Sequence, residues 1–489
     1  MSLKPEAAEV SEKKSIESRS IDASIEHNEH APITEPEAES GPVKVQWYRS
    51  TMYNALVLGL CNFLAPGLWG AMNSLGAGGL QDPKLANTAN AIIFCLMVVT
   101  ALCFSALVHR IGIVWCVFLG AAGYAPYASG LYTNLRYSNP WWPLVGAAIC
   151  GCSAGIFWAS EAAIAISYPE QSKKGQFLGI WLTFKVMGQV VGGAINLGIN
   201  SKRNEAGAVS YAVYIVFITL QALGPFSALL LTPPAKVQRS DGRRVVLKVL
   251  ASCRKEVAWM LRILCTKKFL LVCPLIAQTV YSEAVIFTYS SLWFSVRGRS
   301  LGSFVSGLAA AIAGNLFGRI LDTKRLSLKR RGRAGFFISA SLRGAFMAWN
   351  VGVSFWLRSF RPTYDWVDDG FGMPFALFVL QIANFQVNYM FLFWMIGQIA
   401  ESSEEMVRMA GLLRAVESAS QAVSYGLASI DTFALSYGAV LNLAMWAVSV
   451  FPAWLVIRRI GVDINAEERE QRESEVAQAE YESSRKPGA

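Results

Sequence analysis

The sequence predicts an all-α membrane protein: twelve transmembrane helices arranged as two six-helix halves. Three observations carry that expectation. Of 489 residues, 53% are hydrophobic and only 16% are charged, against about 25% charged in an average soluble domain. The apolar residues gather in blocks of about 20, the length that crosses a hydrocarbon layer roughly 30 Å thick. A basic, polar stretch then divides the blocks six and six.

In order, the blocks run over residues 50–73, 86–108, 112–132, 143–167, 176–199, 209–231, 269–294, 301–321, 335–357, 372–397, 409–430 and 435–457. With both termini in the cytoplasm, the segments facing inward between Trp47 and Val462 hold 23 Lys and Arg and those facing outward hold 8. Lysine and arginine bias sets orientation, so both ends and the central loop are expected inside. The chain divides accordingly into a disordered N-terminal tail (1–46), a first half (47–231), a central loop (232–268), a second half (269–458) and an acidic C-terminal tail (459–489). The tail before the first block has no apolar core of the kind a signal peptide needs, so the first span is expected to direct its own insertion.

Charge and motif content exclude several functions. The net charge of +10 belongs to the membrane body, because both tails are acidic. It reads as topology and contact with an anionic bilayer rather than nucleic-acid binding. The only histidines are His27, His30 and His109. No zinc-protease, phosphate-loop or nucleophile-elbow motif occurs. The chain is therefore expected to be no enzyme, to hold no metal or other cofactor, and to use no ATPase of its own. The nine cysteines avoid the outward loops, so no structural disulfide is expected.

Two stretches resemble each other across the halves: IFWASEAAIAISYPEQSKKG, ending at Gly175, and LFWMIGQIAESSEEMVRMAG, ending at Gly411. Parallel repeats of six spans are the trace of major-facilitator architecture. The turns after spans two and eight resemble that superfamily's G-x-x-x-D-R-x-G-R-K signature. In the second copy, GNLFGRILDTKRLSLKRRG, Gly314 and Gly318 form a small packing face and Asp322 precedes a basic run. In the first, SALVHRIG, Arg110 follows His109, which stands where an acid is usual. The segments Asn54–Gly79 (NALVLGLCNFLAPGLWGAMNSLGAGG) and Phe157–Asn196 further resemble the fungal branch of the uncoordinated-93-like family, over most of the membrane body. That resemblance implies a twelve-helix fold. It implies either transport or a non-transporting role as accessory protein to an ion channel or escort of a membrane receptor.

Charges inside spans are costly and point to function or to pairing. Glu161 and Lys185 lie 11 residues before and 13 after the centre of the turn joining spans four and five, near Ser172. Antiparallel helices place them at similar depth, so an ion pair is expected, either locking the hairpin or serving a site. Glu283 sits about 14 residues, or ~21 Å, into span seven, beyond easy snorkelling, and is a candidate proton carrier with Glu161. Arg343 is expected to reach the cytoplasmic side and a structural partner there. Arg414 and Glu417 are expected to neutralise each other.

Major-facilitator architecture implies that spans one, four, seven and ten line a cavity. Trp158 and Trp394, at repeat-equivalent places, are candidate aromatic walls, and Asn384 and Asn388 candidate polar contacts. Residues 242–264 are expected to form a basic amphipathic helix on the inner leaflet. The resulting functional expectation is a secondary transporter of a small organic solute, with proton coupling as a candidate mechanism. The alternative is an accessory or trafficking protein with a membrane-protein partner.

Overall fold

The computed structural model describes residues 45–80, 83–170, 174–240, 245, 253–323, 325–401 and 403–462. Among these, twelve long helical units follow one another: α1 (Thr51–Ser74), α2 (Pro83–Ile111), α3 (Ile113–Tyr137), α4 (Trp141–Ser167), α5 (Lys174–Asn200), α6 (Tyr211–Ala228), α7 (Lys267–Trp293), α8 (Val296–Asp322), α9 (Leu328–Phe360), α10 (Gly372–Ile399), α11 (Ser403–Ala428) and α12 (Phe433–Ile457). Ten are long and apolar enough to span a bilayer. The other two, α9 and α11, are longer than a span requires but too polar on average to qualify by composition.

Both expected tails fall almost wholly outside the described residues. Of the helix expected over 242–264, the described part is a linker helix at Cys253–Leu264. It packs on α2 and α11, so it bridges the halves rather than lying only on a lipid surface. Met260 meets Gly411, and the Trp259 ring takes the Arg408 guanidinium 5.4 Å from its centre. Trp259 and Leu261 still leave much of their surface exposed.

The first span is broken where its sequence says it must be. Pro66 has no N–H to donate and its ring crowds the carbonyl one turn back. The helix answers with a wide turn over Phe63–Gly67, a common device at functional positions. Gly67 and Gly188 then bring α1 against α5: a Cβ at Gly188 would stand 2.8 Å from the Gly67 Cα. This close approach sits one turn from Lys185 and fixes that residue's height.

The halves meet along α5 with α8 and α2 with α11. One end of the bundle, carrying the linker helix, is called here the linker end. The opposite, distal end is stitched across the seam. Val296 N donates to Glu205 O at 3.0 Å and Arg297 N to Arg203 O at 2.9 Å. Asn87 donates to Thr288 Oγ1 at 3.1 Å and to Ala428 O at 3.0 Å, and Ser74 and Ser303 share a hydrogen bond of 2.6 Å. The buried Arg299 donates to Leu80 O and Gly207 O. Gly76, at φ 74°, lies against α7 so closely that a Cβ would stand 2.5 Å from the Ser291 nitrogen.

Candidate functional site

A cavity of about 110 Å³ lies between the halves, lined by α1 to α5, α7, α8, α10 and α11. The helices expected to line it do so, joined by flanking ones. Its chemistry is set by two cations, Lys185 and Arg414, two acids, Glu283 and Glu417, and a shared pair of aromatic rings, with a third acid, Glu161, buried nearby.

Trp158 of α4 and Tyr389 of α10 face each other across the seam. The Lys185 ammonium of α5 lies 4.8 Å from the Trp158 ring centre and 4.9 Å from that of Tyr389. From α11 the Arg414 guanidinium reaches the same two rings, at 4.2 and 5.6 Å, and Phe393 at 5.0 Å. Ring faces attract cations, and more strongly once water is excluded. Arg414 also donates to the Tyr389 hydroxyl and, at 2.9 Å, to Glu417 Oε2. These contacts answer how Lys185 is tolerated in an apolar helix: aromatic rings hold it within electrostatic reach of Glu283, Glu417 and Glu161.

The three carboxylates are satisfied unequally. Glu283 accepts from Gln421. Glu417 has one oxygen on Arg414 and its other without a partner. Glu161 is fully buried, and neither of its oxygens has a hydrogen-bond partner among the described residues. The Trp181 indole N–H, on α5 beside it, is also unpartnered within ordinary hydrogen-bond limits. A buried carboxyl in that condition is costly unless a visiting donor reaches it.

The structure brings Trp158, Glu161, Lys185 and Glu283 into one region, but the expected Glu161–Lys185 ion pair does not form among the described residues. Cation–π contact has taken its place. The other sequence candidates sit elsewhere. Asn388 donates to Asn384 O at 2.7 Å and to its side-chain oxygen at 3.1 Å. Asn384 lines a separate small pocket beside Arg343. Trp394 stacks on Phe391 and touches Gly332 of α9. It is five residues beyond Tyr389, about 140° round the helix, so it cannot face the same cavity.

Of the gating candidates, Arg110 is exposed at the end of α2. Gly314 and Gly318 admit Gln386 and Met390 of α10, and the side chain of Asp322 lies outside the described residues. Arg343 does not reach an end of the bundle. It is 1% exposed and bonds to α7. Arg414 and Glu417 do bond to each other, yet Arg414 also serves the cavity, a role the self-neutralising pattern concealed. The signal that could have found it is the low hydropathy of α11, where charges persist in a span.

Two six-helix halves with ionisable groups buried at their interface make up a membrane secondary transporter by architecture. Comparison with known proteins agrees. The family model described as Major Facilitator Superfamily matches residues 51–425. The Notoamide biosynthesis cluster protein O' of Aspergillus versicolor is 40% identical, over 86% of this chain and 92% of its own. UNC93-like protein 1 of Arabidopsis thaliana is 27% identical, over 81% of this chain and 87% of its own. Among solved structures, a D-xylose-proton symporter matches with a TM-score of 0.57 at 12% identity, over 83% of this chain and 96% of that one. The chain belongs to the major facilitator superfamily, in its UNC93-like branch.

Proposed function

We propose that this protein moves a small organic solute across a membrane by alternating exposure of the cavity around Trp158 and Tyr389, with a proton as the coupling ion. The observation that carries the reading is the shared cation–π arrangement of Lys185 and Arg414. It joins a cation from each half on rings from each half, so any rocking of the halves rearranges the site. Aromatic faces supply apolar area, while Lys185, Glu283 and Gln421 offer polar contacts to a moderately polar molecule.

Glu161 and Glu283 are the proposed proton carriers, because Glu161 is buried, Glu283 is half-buried on the cavity wall, and neither is paired with a cation among the described residues. The relative's printed name ties that protein to notoamide biosynthesis, which supports a biosynthetic organic product as the solute class here. The Lys and Arg bias supports cytoplasmic termini, with the linker end inside.

The test is flux in liposomes of purified protein, across a library of organic solutes, with and without a pH gradient. Gradient-driven flux that Glu283→Gln abolishes is the expected result; gradient-dependent flux surviving that change removes Glu283 as the carrier. Absence of flux for every solute, with a membrane-protein partner co-purifying in its place, favours the accessory role.

A further inference from the structure

We propose that Arg343 holds a small monovalent anion, chloride by charge and abundance, in a pocket between α7, α9 and α10 that is separate from the transport cavity. Arg343 sits midway along the 33-residue α9 and is 1% exposed. One of its nitrogens, Nη2, donates to Gln278 O at 3.3 Å, Thr279 O at 2.7 Å and Ser282 Oγ at 3.0 Å. Those acceptors are neutral. Its Nε and Nη1 have no partner, and among the described residues no acid pairs with it.

An uncompensated guanidinium in this position is costly. Burying an unpaired charge within a membrane protein is strongly unfavourable, and guanidinium cannot escape the cost by releasing its proton. Something of opposite charge is required.

The pocket beside it is the right size and polarity. It has a volume of about 10 Å³ and is lined by Ser282, Arg343, Gln381 and Asn384 among apolar side chains. Such a volume suits one species of about water size. Gln381 is 4% exposed and its Nε2 has no partner. The Asn384 side-chain oxygen already accepts from Asn388 at 3.1 Å. Arg343 Nε, Arg343 Nη1 and Gln381 Nε2 are thus three buried donors without a partner among the described residues. A water would bring two hydrogens that need acceptors of their own. An anion accepts from all three donors and neutralises the charge.

The ion would also matter mechanically. Arg343 grips α7 at residues 278, 279 and 282, the turn immediately before Glu283, so the anion would hold in place the helix segment that carries a proposed proton carrier.

The experiment is equilibrium binding of radioactive chloride to purified full-length protein held in sodium gluconate at constant ionic strength. Saturable binding at one ion per chain is expected, lost in Arg343→Gln, weakened by about tenfold or more in Gln381→Leu, and unchanged in Lys185→Gln. A folded wild type with no saturable binding overturns the proposal. So does binding that Lys185→Gln abolishes and Arg343→Gln retains, since that places the ion in the central cavity. Should Arg343→Gln fail to fold, the wild type and Gln381→Leu decide: unaltered affinity in Gln381→Leu counts against the site.

Discussion

The two ends of the bundle are closed in different ways. At the distal end the halves are joined through buried and backbone hydrogen bonds, with Arg299, Asn87, Ser74 and the backbone N–H groups of Val296 and Arg297 all bonding across the seam. At the linker end the bonds described stay within a half. Glu170 accepts from Thr51 at 3.0 Å and from the Ser240 nitrogen at 2.8 Å, and Lys268 pairs with Glu401 and Glu405 at 2.8 Å. What spans the seam there is the linker helix lying on α2 and α11. The difference teaches which end must be broken and which only uncovered. Opening the distal end requires separating several desolvated hydrogen bonds together, each costing about 1–3 kcal/mol when left unmade. Opening the linker end requires moving one short helix.

The sharpest way to break this contrast is Arg299→Ala. It removes the donors of the Leu80 and Gly207 carbonyls and is expected to destabilise the distal-closed form by ~2–4 kcal/mol. Cysteine labelling of Ser74→Cys from the distal side checks it: labelling should rise strongly in the Arg299→Ala background, and unchanged protection would mean that packing alone holds this end.

Next comes the cavity between the ends. Lys185→Ala removes two cation–π contacts, worth ~1–3 kcal/mol together when desolvated, and is expected to abolish flux while leaving most of the protein folded. A double-mutant cycle with Glu161→Gln should give a coupling below about 1 kcal/mol, because the two do not form an ion pair. Thermal stability of the four variants measures that coupling, and a value of several kcal/mol would restore the direct pair.

A smaller effect distinguishes the loops by pH. Asp365, between α9 and α10, accepts from the Arg297 guanidinium and, at 2.6 Å, from Ser295. Those bonds, the Arg297 one above all, hold its carboxyl down at about 2. At the linker end, burial pushes the Glu170 carboxyl up, but hydrogen bonds from Ser240 and Thr51 outweigh it and bring it to about 2. Both are lower folded than unfolded, so each contributes stability that is complete above about pH 4–5 and lost as pH falls toward 2. Asp365→Asn and Glu170→Gln should each flatten the acid limb of a thermal-stability profile. An acid limb identical to wild type would rule out that residue's contribution.

The smallest expected change is Trp259→Ala on the linker helix. Its cation–π contact with Arg408 is partly exposed, worth about 0.5–1 kcal/mol. Faster proteolysis between residues 240 and 265, with the membrane body intact, is the expected readout. An unaltered cleavage rate would mean that Met260 and Ile263 suffice to seat the helix.

The sequence by itself determined the number of spans, their division into two halves and the presence of buried ions, because hydrophobic length and the cost of intramembrane charge are properties of single segments. It placed Glu161, Lys185 and Glu283 in the interior and marked the basic helix between the halves. Only the tertiary structure decided what those charges meet. Depth along a helix follows from counting residues, but the direction a side chain faces depends on how each helix is rotated against its neighbours. That rotation put Lys185 on aromatic rings instead of Glu161 and turned Trp394 toward α9. It also drew Arg414 into the cavity and left Arg343 facing a pocket of donors. The rotation is set by contacts such as Gly67 on Gly188 and Gly314 on Gln386, which join residues distant in sequence and are therefore not written in either segment alone.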